Sequence, residues 1–191
     1  MNQIVIFASG SGSNAENIIS YFKASKTAVV TKVYCNNSNA KVFDRCKRLQ
    51  ITCVHFTREQ LFSSNTMTEQ LIKEADYIIL AGFLWKIPAN LISNFSNKII
   101  NIHPALLPKY GGKGMYGIHV HKAVKENKES ETGITIHLVN EKYDEGAIIF
   151  QAKTRVDVTD TPEDIAGKIH LLEQAHFPRI IEEVILNNTH G

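Results

Sequence analysis

Short apolar runs alternate with stretches of helical spacing through the first hundred residues, and few folds accommodate that alternation. Gln3 to Ala8 is apolar, ends in small residues and reads as a buried parallel strand. Asn14 to Lys26 follows with Ile18, Ile19 and Phe22 at helical spacing. Ala28 to Cys35 is a β-branched second strand, Lys41 to Leu49 a second helix and Ile51 to Phe56 a third strand. Thr57 and Gln60 make a capping-box start for a helical stretch reaching Glu74, interrupted near Ser63 to Asn65. Tyr77 to Ala81, Pro88 to Phe95 and Lys98 to His103 read as strand, short helix and strand. The succession predicts an α/β fold: a Rossmann-like, mostly parallel twisted sheet with helices on both faces. In such sheets ligands sit beyond the carboxyl ends of the strands.

The texture changes after His103. Residues 104–117 hold two Pro and four Gly, too many for a helix or a central strand, so a long loop is expected there. His119 to Asn127 reads as a helix, and Gly133 to Val139 and Ala147 to Val156 as strands. Thr161-Pro162-Glu163-Asp164 opens a last helix that runs past residue 180 with a disturbance at Pro178. The polar tail from Asn187 to Gly191 is expected to fray.

Composition excludes several partners. A net charge of +2 over 191 residues is too small to imply nucleic acid. No apolar run approaches the ~20 residues of a membrane span. The N-terminus enters Ile4-Val5-Ile6-Phe7 without an export signal. Cys35, Cys46 and Cys53 are odd in number and lack a tight zinc spacing, so they read as reduced thiols of a cytoplasmic protein.

Three predicted strand ends carry unusual residues. After the first strand stands Ser9-Gly10-Ser11-Gly12-Ser13-Asn14. Small residues let the backbone approach an anion, and the helix start supplies free N–H groups and a positive dipole end. Residues 10–15 also satisfy the loose dinucleotide fingerprint, which wants an acid at the end of strand two. Asn36, Asn37 and Ser38 stand there, so a single phosphate is the better reading; the same loop would also serve as a turn that binds nothing.

At the end of strand five, alternation puts Asn101 and His103 on one side of the strand. An amide and an imidazole there can stabilise an oxyanion and move a proton, or merely satisfy backbone groups. In Tyr143-Asp144-Glu145-Gly146, Asp144 can pair with a histidine, raise its pKa and hold it protonated. An acid near glycine is equally the mark of an ordinary turn. His119 and His121 are two apart on a predicted helix and point different ways, so no metal is expected. Leu84 to Ile87 is either one wall of a ligand pocket or core around the lone Trp85.

Several of these segments occur together in one known group. Ser9-Gly-Ser-Gly-Ser-Asn14, Leu80-Ala-Gly-Phe83, Asn101-Ile-His-Pro-Ala-Leu-Leu-Pro-Lys109, Asp144-Glu-Gly146 and Glu173 resemble the glycinamide ribonucleotide transformylase family of folate-dependent formyltransferases. The resemblance runs from Ile4 to about Ile185. It implies the formyltransferase fold in a single domain over residues 1–191, with a phosphate-binding half at 1–100 and a catalytic, folate-binding half at 101–191. It implies transfer of a formyl group from 10-formyltetrahydrofolate, as co-substrate, to the amine of glycinamide ribonucleotide in purine biosynthesis, without a metal. By the same resemblance Gly12, Ser13, Asn14, His170 and Glu173 bind the ribonucleotide. Leu84, Trp85, Lys86, Ile87, Asn101, Asn140, Glu141, Lys142, Tyr143 and Asp144 hold the folate. Asn101, His103 and Asp144 are catalytic, with His119 in support. The partners are then two small molecules on a monomer or homodimer.

The chain departs from the family pattern in places. Trp85 and Lys86 stand where an Arg usually follows Ala-Gly-Phe, and Ser63 to Asn65 are neutral where another Arg is common. The glycine-rich loop from Tyr110 to Tyr116 is longer than in the shorter members and suits a flap over the folate. Two other readings stay open. A hydrolase releasing formate from the same folate would need no phosphate loop, and a non-catalytic nucleotide-binding module would want the acid missing after strand two.

Overall fold

Strand β1 (Asn2–Ala8) is buried on both faces from Ile4 to Ala8, which is why it is written as an unbroken apolar run. In the computed structural model, which describes residues 1–189, it lies inside one seven-stranded sheet, third from one edge. The chain continues through α1 (Ser13–Ser25), β2 (Ala28–Cys35), α2 (Val42–Leu49) and β3 (Thr52–His55). Next come α3 (Arg58–Phe62), α4 (Thr66–Glu74), β4 (Tyr77–Leu80), α5 (Ala89–Asn94) and β5 (Ile99–His103). Then follow α6 (Ile118–Glu126), β6 (Glu131–Leu138), β7 (Ile148–Arg155) and α7 (Pro162–Thr189). The strand order is β3-β2-β1-β4-β5-β6-β7. The first five in that order are parallel, while β6 runs antiparallel to both β5 and β7.

The period of two along β1 divides the core. Ile4, Ile6 and Ala8 face a layer built by α1, α2, α6 and α7, with Ile18, Val42, Val120 and Phe177 buried against them. Val5 and Phe7 face the other layer, where Leu61, Leu71 and Leu91 come from α3, α4 and α5. Helices therefore cover both faces, as the alternation requires. Thr57 caps α3 with a complete capping box, and Thr161 and Asp164 cap α7 in the same reciprocal way.

Helix α7 runs past residue 180 as expected, and what differs is the expected disturbance. The helix passes through Pro178 without a break. A proline has no N–H for the carbonyl four residues back, here that of Gln174. Asn17 of α1 supplies the missing donor, its Nδ2 giving a hydrogen bond of 2.9 Å to the Gln174 oxygen. The tail also differs. Residues 187–189 continue the helix, and His190 and Gly191 lie outside the described residues. All three cysteines are free. Among the described residues no helix is long and apolar enough to cross a membrane.

Candidate active site

The chain leaves β1 toward β2 on one side, and β4 lies on the other, so a crevice opens where the strand order reverses. A cleft of about 770 Å³ occupies it, walled by residues 9–14, 81–84, 101–104 and 112–117, with His121, Tyr143, Asp144, His170 and Glu173.

The loop after β1 is held from behind. Gly12 sits at φ 74, a left-handed conformation, and a Cβ there would lie 2.5 Å from Val42 Cγ2 and 2.9 Å from Val42 Cα. Glycine thus lets the start of α2 press against the loop. The Val42 N–H donates to the Gly10 carbonyl at 3.2 Å, and Arg45 Nε donates to the Ser11 carbonyl at 2.7 Å. Arg45 and Arg48 both pair with Glu16, whose single carboxylate offsets one of the two guanidinium charges behind the loop. Gly12 has no side chain to cap α1; the Ser13 N–H reaches Ser11 Oγ only at 3.5 Å, and the start of this thirteen-residue helix faces the cleft. Asn14 turns its side chain toward α7 instead. Its Nδ2 donates to Glu173 Oε2 at 2.9 Å and its Oδ1 accepts from Gln174 Nε2 at 3.3 Å. Burial raises the Glu173 pKa, although Asn14 and His170, at 3.7 Å, work to lower it.

The second cluster stands at the end of β5. Antiparallel pairing sets Asn101 opposite His137 and His103 opposite Thr135. His137 Nδ1 lies 2.9 Å from the Leu138 carbonyl and must donate to it, which leaves Nε2 as the acceptor. Asn101 Nδ2 donates to that Nε2 at 3.0 Å, fixing the amide and leaving its second N–H for the cleft. His103 Nε2 is 2.7 Å from the Tyr110 carbonyl, so it carries the proton, and Nδ1 bears the free lone pair. Nδ1 faces Asp144 Oδ2 at 3.6 Å, while Asp144 Oδ1 is 3.7 Å from His137 Nε2. Asp144 also accepts from the Gly112 N–H at 2.9 Å. It adopts φ 55, an uncommon backbone for a residue other than glycine.

Burial favours the neutral form of His103 and wins over the opposing pull of Asp144 and the Tyr110 carbonyl, so the pKa is lowered from 6.5. The expectation that Asp144 holds this histidine protonated is therefore corrected. The carboxylate is beside the ring, but the ring is 4% exposed and the imidazolium loses more hydration than one charge at 3.6 Å restores. Burial would raise Asp144, but the Gly112 N–H and the charge His137 and His103 take on when protonated at low pH outweigh it, so Asp144 stays below the ordinary carboxylate range.

Other expected residues divide. Leu84, Tyr143 and Asp144 line the cleft. Ile87 is buried in the second core, and Trp85 is half-buried against that core, packing on Phe56, Phe62 and Phe83 with Arg58 over its ring, outside the cleft wall. Lys86 lies over the Tyr143 ring at 5.9 Å. Asn140 and Lys142 fold onto their own turn through the Glu145 carbonyl and carboxylate, and neither they nor the exposed Glu141 belongs to the cleft wall. His119 is exposed against Tyr116, outside the wall, whereas His121 lines it, 5% exposed and with an unpartnered Nδ1. Any support from His119 therefore reaches the cleft only through Tyr116. Burial, then the charge of His103, lowers the His121 pKa.

Sequence reasoning missed His137 as the partner of Asn101. The alternation of Thr135 and His137 matches that of Asn101 and His103, and an antiparallel pairing of the two strands would have exposed the match. Thr135, wholly buried, holds the loop after β5: its hydroxyl accepts from the Leu107 N–H at 3.0 Å and donates to the Ala105 carbonyl at 2.7 Å.

A profile described as formyl transferase matches residues 2–181. This chain belongs to the formyl transferase family. The phosphoribosylglycinamide formyltransferase of Bacillus subtilis is 33% identical over 197 residues, covering 100% of this chain and 98% of that protein. The chloroplastic protein of the same name from Arabidopsis thaliana is 53% identical over 94 residues, which is 49% of this chain and 32% of the plant protein. Among solved structures, glycinamide ribonucleotide transformylase 1 from Geobacillus kaustophilus superposes with a TM-score of 0.86 at 30% identity, covering 96% of this formyl transferase and 98% of that chain.

Proposed function

We propose that this formyl transferase moves the formyl group of 10-formyltetrahydrofolate to the amine of glycinamide ribonucleotide. The observation that carries the reading is one cleft holding both a helix start behind a glycine-serine loop and the cluster of Asn101, His103 and Asp144. The first suits a phosphomonoester, and the second suits acyl transfer. The named relatives support the choice of substrates.

In this reading the ribonucleotide amine attacks the formyl carbon, forming a C–N bond and a tetrahedral oxyanion. The free N–H of Asn101 donates to that oxygen; one such donor is typically worth ~10²–10³-fold in rate. His103 enters neutral and takes a proton from the attacking nitrogen on Nδ1. The imidazolium so formed gains the Asp144 carboxylate, which gives its charge a partner during the step where it exists. The proton then passes to N10 of the folate as the C–N10 bond breaks. Gly12 and Ser13 belong at the phosphate, and Asn14 acts by fixing Glu173 rather than by touching the phosphate with its side chain. His170 stands at the same end of the cleft, and Leu84, Tyr143 and Asp144 form the folate side. The three free thiols fit a reducing cytoplasm.

The test follows pterin absorbance during incubation with 10-formyltetrahydrofolate, with and without glycinamide ribonucleotide. Deformylation that requires the ribonucleotide is the expected result. Deformylation without it would make the protein a hydrolase, and none in either case would end the enzymatic reading.

A further inference from the structure

The charges lining the cleft do not balance two anionic substrates. Asp144 and Glu173 are acids, and His103 and His121 are held toward neutrality by burial. The two arginines behind the phosphate loop share Glu16, Lys109 is paired with Glu129 at 2.9 Å, Lys86 lies over Tyr143, and none of these four lines the cleft. Among the described residues that line the cleft, Lys113 alone carries a permanent positive charge. It is exposed and has no hydrogen bond or ion pair within the described residues.

The backbone around Lys113 is built to present it. The Met115 N–H closes a turn on the Gly112 carbonyl at 3.1 Å, with Lys113 second in the turn and Gly114 third at φ 90, a position that favours glycine. Gly112, at φ 93, donates its N–H to Asp144. The residue next to the cation is thus tied to the carboxylate of the reacting cluster. Both glycines face open space, so conformation rather than crowding demands them.

We propose that the Lys113 ammonium pairs with an anionic oxygen group of a bound substrate, either the phosphate of the ribonucleotide or the glutamate carboxylate of the folate. The assignment rests on the formyl-transfer reading and adds the cation which that reading lacks. Lys113 is then a specificity residue carried on the glycine loop, and its hydrogen-bonded neighbour Gly112 couples its position to Asp144.

Lys113→Met and Lys113→Arg test it in the full chain. In steady-state formyl transfer, Lys113→Met raises KM about 10-fold for one substrate and leaves the other KM unchanged, while kcat changes far less. Lys113→Arg restores most of the loss, and the defect shrinks at high salt because the pair is screened. The substrate whose KM moves identifies the anion. A kcat loss with both KM values unchanged, or no change at all, overturns the pairing. Wild-type protein without transfer activity would instead overturn the formyl-transfer reading. Binding then decides the cation separately: ribose 5-phosphate and 4-aminobenzoylglutamate each carry one of the anions without the reacting atoms. Weaker binding of one of them to Lys113→Met, kept in Lys113→Arg, supports the site; equal binding of both probes to both proteins refutes it.

Discussion

His103 has a carboxylate 3.6 Å away and still titrates below an ordinary histidine, because burial outweighs the attraction. Its lone pair is therefore available at neutral pH, which is what a proton acceptor for an attacking amine requires. The activity of the free enzyme should rise with pH through a value below 6.5 and then level off. Asp144→Asn removes the charge that opposes the burial effect, so the acid limb of kcat/KM against pH should move further down while the plateau falls by ~10²-fold or more. A limb that moves upward in this variant would reverse the assignment. Stability has the same sign. His103 and His121 both bind protons less readily folded than unfolded, so below pH 6.5 the unfolded chain gains protons first and the protein should lose stability as the pH falls. His121→Asn should flatten that slope in thermal melts between pH 7 and 5.

Helix α7 carries its proline because α1 completes it. With Asn17 replaced by Ala, the Gln174 carbonyl loses the side-chain donor that stands in for the proline's missing N–H; such a loss is typically about 1–3 kcal/mol for a buried group, and this part-buried one belongs at the lower end. Pro178→Ala restores the helical N–H, so Asn17→Ala should cost much less in that background, and a double-mutant cycle by chemical denaturation measures the difference. Equal costs in both backgrounds would show that Asn17 does not act through this carbonyl. Gly12→Ala is a second element-scale probe. The new methyl meets Val42 and the left-handed backbone is strained, so α2 must shift, with a loss of about 1–3 kcal/mol and weaker ribonucleotide binding. The elements themselves were legible because parallel strands buried on both faces, like Ile4 to Ala8, have no polar alternation to confuse, and because Thr57 and Thr161 announce their helices. The continuity of α7 was not legible, since the donor for Gln174 lies 157 residues away in Asn17. The candidate site was readable as three strand ends, but the ionisation of His103 and the choice of His121 over His119 depend on burial, which no local pattern records.

At the scale of the whole molecule, the cleft joins the loop after β1, the α7 wall and the β5–β6 cluster, so its two ends belong to elements far apart in the chain. Glu173, held by Asn14, stands at one end, and Asp144, held by Gly112, at the other. A ligand at either end adds contacts that only the folded chain offers, and at 100 times its Kd it stabilises by about 2.7 kcal/mol. For a domain near this size that is roughly 5–10 °C in Tm. Glycinamide ribonucleotide and tetrahydrofolate, which together form a complex with no formyl group to transfer, should each raise Tm by such an amount. Their effects should sum, because the two anchor points share no residue. A shift larger than the sum would mean that one ligand orders the loop at 112–117 for the other, and hydrogen exchange of those amides would then slow with the first ligand alone. Protection by the folate without any by the ribonucleotide would detach residues 9–14 from phosphate binding and favour the hydrolase. Protection by neither would leave the cleft without the substrates its charges and donors were read to fit.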